Sequence, residues 1–253
     1  MRKVIVAGRG GNGKTTLVVL LAKRLAKDGF VLVVDSDESN LGLPAVLGLE
    51  RPKKTLMDAF GGKDRLKVAI RSRHDQTPLF SESLDWSLIP GGVLSVKGRL
   101  AFATVGKEEH ALEGCPCPMG VLARDFIRAL DSTRFWVIVD TEAGVEHFGR
   151  GLVAEVDGVI YVAEPAFESL LLFEKVRHMC EEVRKPLLVV ANKVLPSLKD
   201  RFLQMLKEKG AKQVYLVPYS DDINASNMLG IPIEAEVPEI DSLVEALQGL
   251  GRA

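Results

Sequence analysis

Short, nearly unbroken apolar runs separated by longer stretches of mixed polarity divide the chain into alternating strands and helices. Val4-Ile5-Val6-Ala7, Val31-Leu32-Val33-Val34 and Trp136-Val137-Ile138-Val139 carry no polar side chain on either face, the pattern of strands buried on both sides in a parallel sheet. Strands are therefore expected at Lys3 to Ala7, Val31 to Asp35, Trp86 to Ile89, Trp136 to Asp140, Val159 to Ala163, Leu187 to Asn192 and Val214 to Pro218. Helices are expected over Thr16 to Asp28, Leu56 to Phe60, Leu66 to Arg71, Val121 to Leu130, Ser169 to Val183, Leu198 to Lys209 and Ile240 to Leu247. Gly29 ends the first helix, and Pro90-Gly91-Gly92 stops the third strand. Strands alternating with helices imply right-handed crossovers, so the expected fold class is α/β: a single domain over residues 1–253, with a mostly parallel sheet and helices on both faces. No internal repeat, low-complexity tract or linker marks a second domain.

The junction between the first strand and the first helix carries the strongest chemical signal. Gly8-Arg9-Gly10-Gly11-Asn12-Gly13-Lys14-Thr15-Thr16 fits G-x-x-x-x-G-K-[ST] in the strand-then-helix context that this motif needs. Its glycines let the backbone curl so that successive N–H groups point inward, forming an anion cradle at a helix N-terminus. Gly10, Gly11, Asn12, Gly13, Lys14, Thr15 and Thr16 are thus the expected phosphate-binding residues, with Lys14 reaching the outer phosphates and Thr15 ligating Mg²⁺. Ligands in such sheets bind beyond the carboxyl ends of the strands, and polar residues collect there. Asp35 and Asp37 end the second strand, and Asp140, Glu142 and Gly144 end the one after the cysteines. Asp140 follows four apolar residues, which suits a carboxylate holding Mg²⁺ directly or through water, a role that Asp37 shares as the second candidate; the competing use of a strand-end carboxylate is to cap a helix.

Base recognition is read from Asn192-Lys193-Val194-Leu195. A guanine site with the pattern N-K-x-D uses its aspartate as an acceptor, but Leu195 stands at that position and accepts nothing. ATP or ADP is therefore the expected nucleotide, with Asn192 and Lys193 at the base and Val217-Pro218-Tyr219 lining its pocket.

Composition narrows the partners. The 253 residues are 47% hydrophobic with a formal net charge of −1, so there is a sizeable core and no global field for nucleic acid or an anionic bilayer. Lys53-Lys54 and Arg71-Ser72-Arg73 read as solvated faces, and Ile240 to Ala253 has Arg252 as its one basic residue, not the basic amphipathic helix of a membrane anchor. No apolar stretch reaches the roughly 18 residues of a membrane span, and the chain enters a strand without a secretory signal, so a cytoplasmic protein is expected.

Of three cysteines, Cys180 lies on an apolar helix face and reads as a small buried hydrophobe. Cys115 and Cys117 are one residue apart, and in a reducing compartment that spacing suggests metal chemistry before a structural disulfide. Pro116 between them limits the freedom that binding would remove. One subunit offers two thiolates where a tetrahedral site wants four, and a symmetric dimer would supply the rest.

With these segments together, the chain resembles the MinD/ParA/nitrogenase-iron-protein group of dimeric phosphate-loop ATPases, which carry a deviant Walker A motif. Within it the closest likeness is to the CooC-type ATPases that insert nickel into carbon monoxide dehydrogenase. The likeness rests on the phosphate loop, Asp35-Ser36-Asp37 with Asn40-Leu41, Cys115-Pro116-Cys117, Asp140-Thr141-Glu142-Ala143-Gly144-Val145-Glu146-His147, and Asn192-Lys193. It implies a homodimer drawn together by ATP, with Ni²⁺ or Zn²⁺ held by Cys115 and Cys117 of both subunits and carbon monoxide dehydrogenase or a related nickel enzyme as client. It further implies that Asp37 orients the attacking water, that Thr15 and Asp140 hold Mg²⁺, and that Thr16 contacts the α-phosphate. Where the family has a lysine reaching across to the partner's nucleotide, this chain has Arg9, which keeps the charge and can span phosphates in a bidentate manner. Two other readings fit the same residues: an iron–sulfur carrier or electron donor, since four thiolates also hold a [4Fe–4S] cluster, and a positioning ATPase in which the cysteines are incidental.

Overall fold

The computed structural model describes residues 2–72, 78–80, 83–107, 117–145, 148 and 151–250. Arg73, Cys115, Pro116, Glu146, His147 and Arg252 lie outside the described residues, and Cys117 enters only as backbone. In chain order the elements are β1 (Lys3–Gly8), α1 (Lys14–Ala26), β2 (Phe30–Asp35), α2 (Leu43–Leu47), α3 (Leu56–Ala59), α4 (Lys63–Arg71), β3 (Leu94–Lys97), β4 (Leu100–Thr104), α5 (Cys117–Ala129) and β5 (Phe135–Asp140). There follow β6 (Gly158–Ala163), α6 (Phe167–Glu182), β7 (Leu187–Val194), α7 (Lys199–Glu208), β8 (Val214–Pro218), α8 (Asp221–Leu229) and α9 (Glu239–Gly249).

Among the described residues eight strands form one sheet in the order β3-β4-β2-β5-β1-β6-β7-β8. Every neighbouring pair is parallel except β3 and β4, which form an antiparallel hairpin at one edge. The period-two geometry of a strand sends Val4 and Val6 to one face and Ile5 and Ala7 to the other, and both faces are covered. Residues of α1, α2, α8 and α9 pack on the first face, among them Leu17, Leu21, Ile223, Leu243 and Leu247. The second is covered by α3 to α7, with Leu66, Phe126, Phe173, Val176 and Phe202. Cys180 is buried in that layer, and burial pushes its thiol up to about 12, so it packs as the small inert hydrophobe expected.

The expected strand at Trp86 to Ile89 is instead a short 3₁₀ turn, Trp86–Leu88. Asp85 starts the turn by accepting the Ser87 N–H at 3.1 Å, and Trp86 packs edge-on against Phe30 and Phe135. A local side-chain cap outcompetes the strand ladder there. The edge strands come later, at β3 and β4, turning at Gly98 with φ +61°. The helix expected from Val121 begins instead at Cys117, because Pro118 is tolerated in a first turn. Among the described residues no helix is long and apolar enough to cross a membrane.

Candidate active site

The carboxyl ends of β1, β2, β5, β7 and β8 gather around a cavity of about 730 Å³. Gly10, Gly11, Gly13, Lys14, Thr15 and Thr16 form its floor; Asp37, Asn192, Lys193 and Pro218 stand on its walls with Glu142, Val217 and Tyr219. β1 ends at Gly8, the loop turns back, and α1 opens at Lys14 with its unpaired N–H groups facing this space. That end of a helix carries the positive end of the backbone dipole, which favours an anion.

Two glycines are demanded by the packing. A Cβ on Gly8 would meet the Val162 carbonyl oxygen at 2.7 Å. Gly13 has φ +92°, and a Cβ there would run into the Asn192 amide. Asn12 is fully buried and donates to the Val162 carbonyl, tying the loop to β6. Asn192 donates to the Asn12 carbonyl at 2.8 Å, and the Lys193 ammonium to that of Gly11 at 2.7 Å. The two residues expected at the base thus brace the phosphate loop through its Asn12 and Gly11 carbonyls.

Lys14 folds back so that Nζ donates to the Arg9 carbonyl at 3.2 Å. Burial lowers its pKa, against the raising influence of Asp140 and Asp37. Thr15 Oγ1 donates to Asp140 Oδ2 at 2.8 Å, and the Asn40 amide donates to the same oxygen at 3.0 Å. The other oxygen of Asp140, Oδ1, is buried with no hydrogen-bond partner among the described residues. A buried carboxylate oxygen left unsatisfied beside a hydroxyl, at the mouth of an anion cradle, is a donor set suited to a hard cation such as Mg²⁺. Burial pushes Asp140 up to about 6, opposed by the Thr15 hydrogen bond and the charge of Lys14.

That direction sets a pH dependence. A cation competes with the proton for Asp140, so the gain in ADP affinity on adding Mg²⁺ should shrink as pH falls through about 6. Below that point the share of the loss owed to Asp140 should approach about tenfold per pH unit, and Asp140→Asn should remove that share and leave the shallower dependence that the phosphate proton of ADP causes. Calorimetric titration with and without Mg²⁺ between about pH 5 and about pH 8 measures it, and a constant gain across that range rejects the assignment.

Other expected residues fall in different places. Asp37 lines the cavity, its Oδ1 accepting the Ser39 N–H at 2.9 Å and the Ser39 hydroxyl at 2.6 Å. Asp35 is fully buried, paired with Lys107 at 2.7 Å; burial pushes it up to about 7 while Lys107 pulls it down. Arg9 is not among the residues lining the cavity. Its guanidinium pairs with Glu164 at 3.2 Å and Glu168 at 2.8 Å and is 45% exposed. Cys115 lies outside the described residues and the Cys117 side chain is not described, so the structure does not place the thiolate pair.

Sequence reasoning missed α8. Asn224 and Asn227 on this helix line the cavity, and Asn227 donates to Thr16 Oγ1 at 3.2 Å. Ser220-Asp221-Asp222 followed by Gly230 is the signal that marks it: Ser220 caps by accepting the Ile223 N–H at 3.3 Å, and Gly230 closes the helix at φ +64°. Asn40 entered the sequence reading through the family likeness, without its contact to Asp140; Lys107 carries no local signal, because its partners lie 70 to 72 residues away.

Residues 3–233 match the family described as the CobQ/CobB/MinD/ParA nucleotide binding domain. An uncharacterised ATP-binding protein of Methanocaldococcus jannaschii is 36% identical over 249 residues, covering 97% of this chain and 99% of the relative. The carbon monoxide dehydrogenase accessory protein CooC of Rhodospirillum rubrum is 27% identical, covering 90% of this chain and 88% of that protein. Among solved structures, the septum site-determining protein MinD of Pyrococcus horikoshii, complexed with Mg-ADP, superposes with a TM-score of 0.67 at 18% identity, over 98% of each chain.

Proposed function

This chain belongs to the CobQ/CobB/MinD/ParA nucleotide binding domain family and is an ATP-binding ATPase of that kind, and on that premise we propose that it acts as a dimeric metallochaperone assisting nickel insertion into carbon monoxide dehydrogenase. The observation that carries the reading is the presence in one chain of a phosphate cradle with an unsatisfied Asp140 oxygen and of Cys115-Pro116-Cys117. Similarity to the Rhodospirillum rubrum accessory protein supports the choice of client.

In the proposed mechanism the loop amides of residues 10–16 and the N-terminus of α1 bind the phosphates, with Thr16 at the α-phosphate. Lys14 leaves the Arg9 carbonyl and spans the outer phosphates. Mg²⁺, when bound, would be held by Thr15 and Asp140 and would neutralise charge on the phosphate oxygens. Asp37 accepts a hydrogen bond from a water and orients it so that the water oxygen attacks the γ-phosphorus as the bond to the ADP oxygen breaks, and the water proton leaves with the phosphate product. Asn192 and Pro218 sit at the base. Leu195 is 49% exposed and has no acceptor, which favours adenine over guanine. Nickel is cargo in this scheme: soft thiolates from two subunits hold it until ATP turnover and release of the nucleotide separate them.

The metal half has its own test. Purified without oxygen, the protein is expected to bind one Ni²⁺ or Zn²⁺ per dimer, more tightly with ATP or ADP present, because nucleotide and metal both favour the dimer. Replacing Cys115 and Cys117 by serine should abolish metal binding and spare ADP binding. One metal per monomer, or binding unchanged in the double variant, overturns the nickel reading, and a broad absorbance band near about 400 nm would assign a [4Fe–4S] cluster instead.

A further inference from the structure

The proposed mechanism leaves Lys107 unused. It follows β4, and its side chain is 11% exposed against the fully buried Asp35. The ammonium donates to Asp35 Oδ2 at 2.7 Å and also to the backbone carbonyl of Asp37. The other oxygen of Asp35, Oδ1, accepts the Asp37 N–H at 3.0 Å. One buried ion pair therefore holds both backbone polar groups of Asp37.

The surroundings make that grip rigid. The Asp35 carbonyl accepts the Val105 N–H at 3.0 Å, which binds the exit of β4 to the exit of β2. Ser36 is pinned to the Asp140 carbonyl through its N–H at 3.0 Å and its hydroxyl at 2.9 Å. Lys107 offsets the cost of burying the Asp35 carboxylate, which burial otherwise pushes toward its protonated form. Neutralising it needs the contact to Asp35 alone. The second contact, to the Asp37 carbonyl, does nothing for the charge of Asp35; what it does is fix the peptide from which the Asp37 carboxylate extends toward the cavity.

We propose that Lys107 is a positioning residue for ATP hydrolysis, clasping the Asp37 backbone together with Asp35 so that the Asp37 carboxylate meets the water at the outer phosphate. The proposal rests on the reading of Asp37 as the water-orienting carboxylate. Displacement of a reacting group by about 1 Å costs on the order of a hundredfold in rate, so a clasp of this kind acts on turnover and leaves ground-state binding alone.

The experiment compares Lys107→Met, Lys107→Arg, Lys107→Met combined with Asp35→Asn, and Asp37→Ala in the full-length protein. It reads kcat and KM for ATP by phosphate release, ADP affinity, and the thermal midpoint. Lys107→Met is expected to lower kcat by about 10- to 100-fold with KM and ADP affinity within about threefold. Lys107→Arg, able to reach a carboxylate and a carbonyl at once, should recover part of the turnover. The double variant removes the buried charge, so it should regain thermal stability and remain slow, because nothing replaces the ammonium at the Asp37 carbonyl. If Lys107→Met does not fold, the double variant supplies the same reading. Wild-type kcat in either Lys107→Met background, or kcat returning in step with stability in the double variant, makes Lys107 a mere charge partner and overturns the proposal. Asp37→Ala separates the two layers. Loss of turnover there beside an active Lys107→Met rejects the clasp alone, whereas an active Asp37→Ala rejects the role of Asp37 and the clasp with it.

Discussion

Lys14→Ala is expected to reduce ATP turnover by about 10²- to 10³-fold or more, the cost of removing one preorganised charge from a phosphoryl-transfer site. The loop amides and the N-terminus of α1 supply partial charges, and these do not neutralise the outer phosphates by themselves. An ammonium on a flexible stem is a compact charge that can follow the outer phosphates as the bond to the γ-phosphoryl group breaks. Folding should not suffer. In the free protein Lys14 is 8% exposed, and burial disfavours its charged form more than Asp140 and Asp37 favour it, so the pKa falls. A lysine whose folded pKa is lowered costs stability at every pH where the unfolded chain carries its charge, that is, below the ordinary lysine range. Removing it should leave the thermal midpoint of the nucleotide-free protein equal or higher, while the rise on adding ADP shrinks. Phosphate release and thermal scans with and without ADP measure both halves. Turnover near that of the wild type would remove the phosphate loop from the mechanism.

The parts of this architecture that were legible in the sequence are those whose information is local. β1, β2 and β5 announce themselves because strands covered on both faces have no reason to alternate in polarity, and the glycine loop is legible because its φ angles and close approaches admit little else. Gly13 is such a position, with a brace from Asn192 where a Cβ would go. The β3–β4 hairpin was missed because β3 is short and half-exposed, and Pro90-Gly91-Gly92 draws attention to the residues before it. α8 was missed because its apolar face is thin, with Ile223 as the buried member. The contacts that finish the site belong to a third kind. Asn40 on Asp140, Asn227 on Thr16 and Lys107 on Asp35 each join segments far apart in the chain, at distances of 3.0, 3.2 and 2.7 Å. Their residue types are ordinary surface types, and the packing of strand ends and helices around the cavity makes them neighbours.

The order β5-β1-β6 places the phosphate loop at the middle of the sheet and sets Arg9 on its outer shoulder, where Glu164 and Glu168 hold the guanidinium away from the subunit's own cavity. Those carboxylates keep a long cationic side chain extended at a surface, at a cost of little net energy because the pairs are exposed. An arginine so placed stands outside the lining of its own cavity, and a second subunit facing that cavity could receive it. Arg9→Ala should therefore leave ADP binding by the single subunit near wild type and cut turnover by about 10³-fold, the scale of an arginine supplied to a phosphoryl-transfer site in trans. Mixing decides whether the arginine acts across subunits. An Arg9→Ala subunit paired with a Lys14→Ala subunit contains one damaged site lacking both residues and one intact site, with Lys14 from the first and Arg9 from the second. A one-to-one mixture of the two inactive proteins, allowed to exchange, makes half of its dimers mixed and half of the sites in those intact, so about a quarter of wild-type turnover should return. If the mixture stays as inactive as its components while nucleotide still drives dimer formation, Arg9 works within its own subunit.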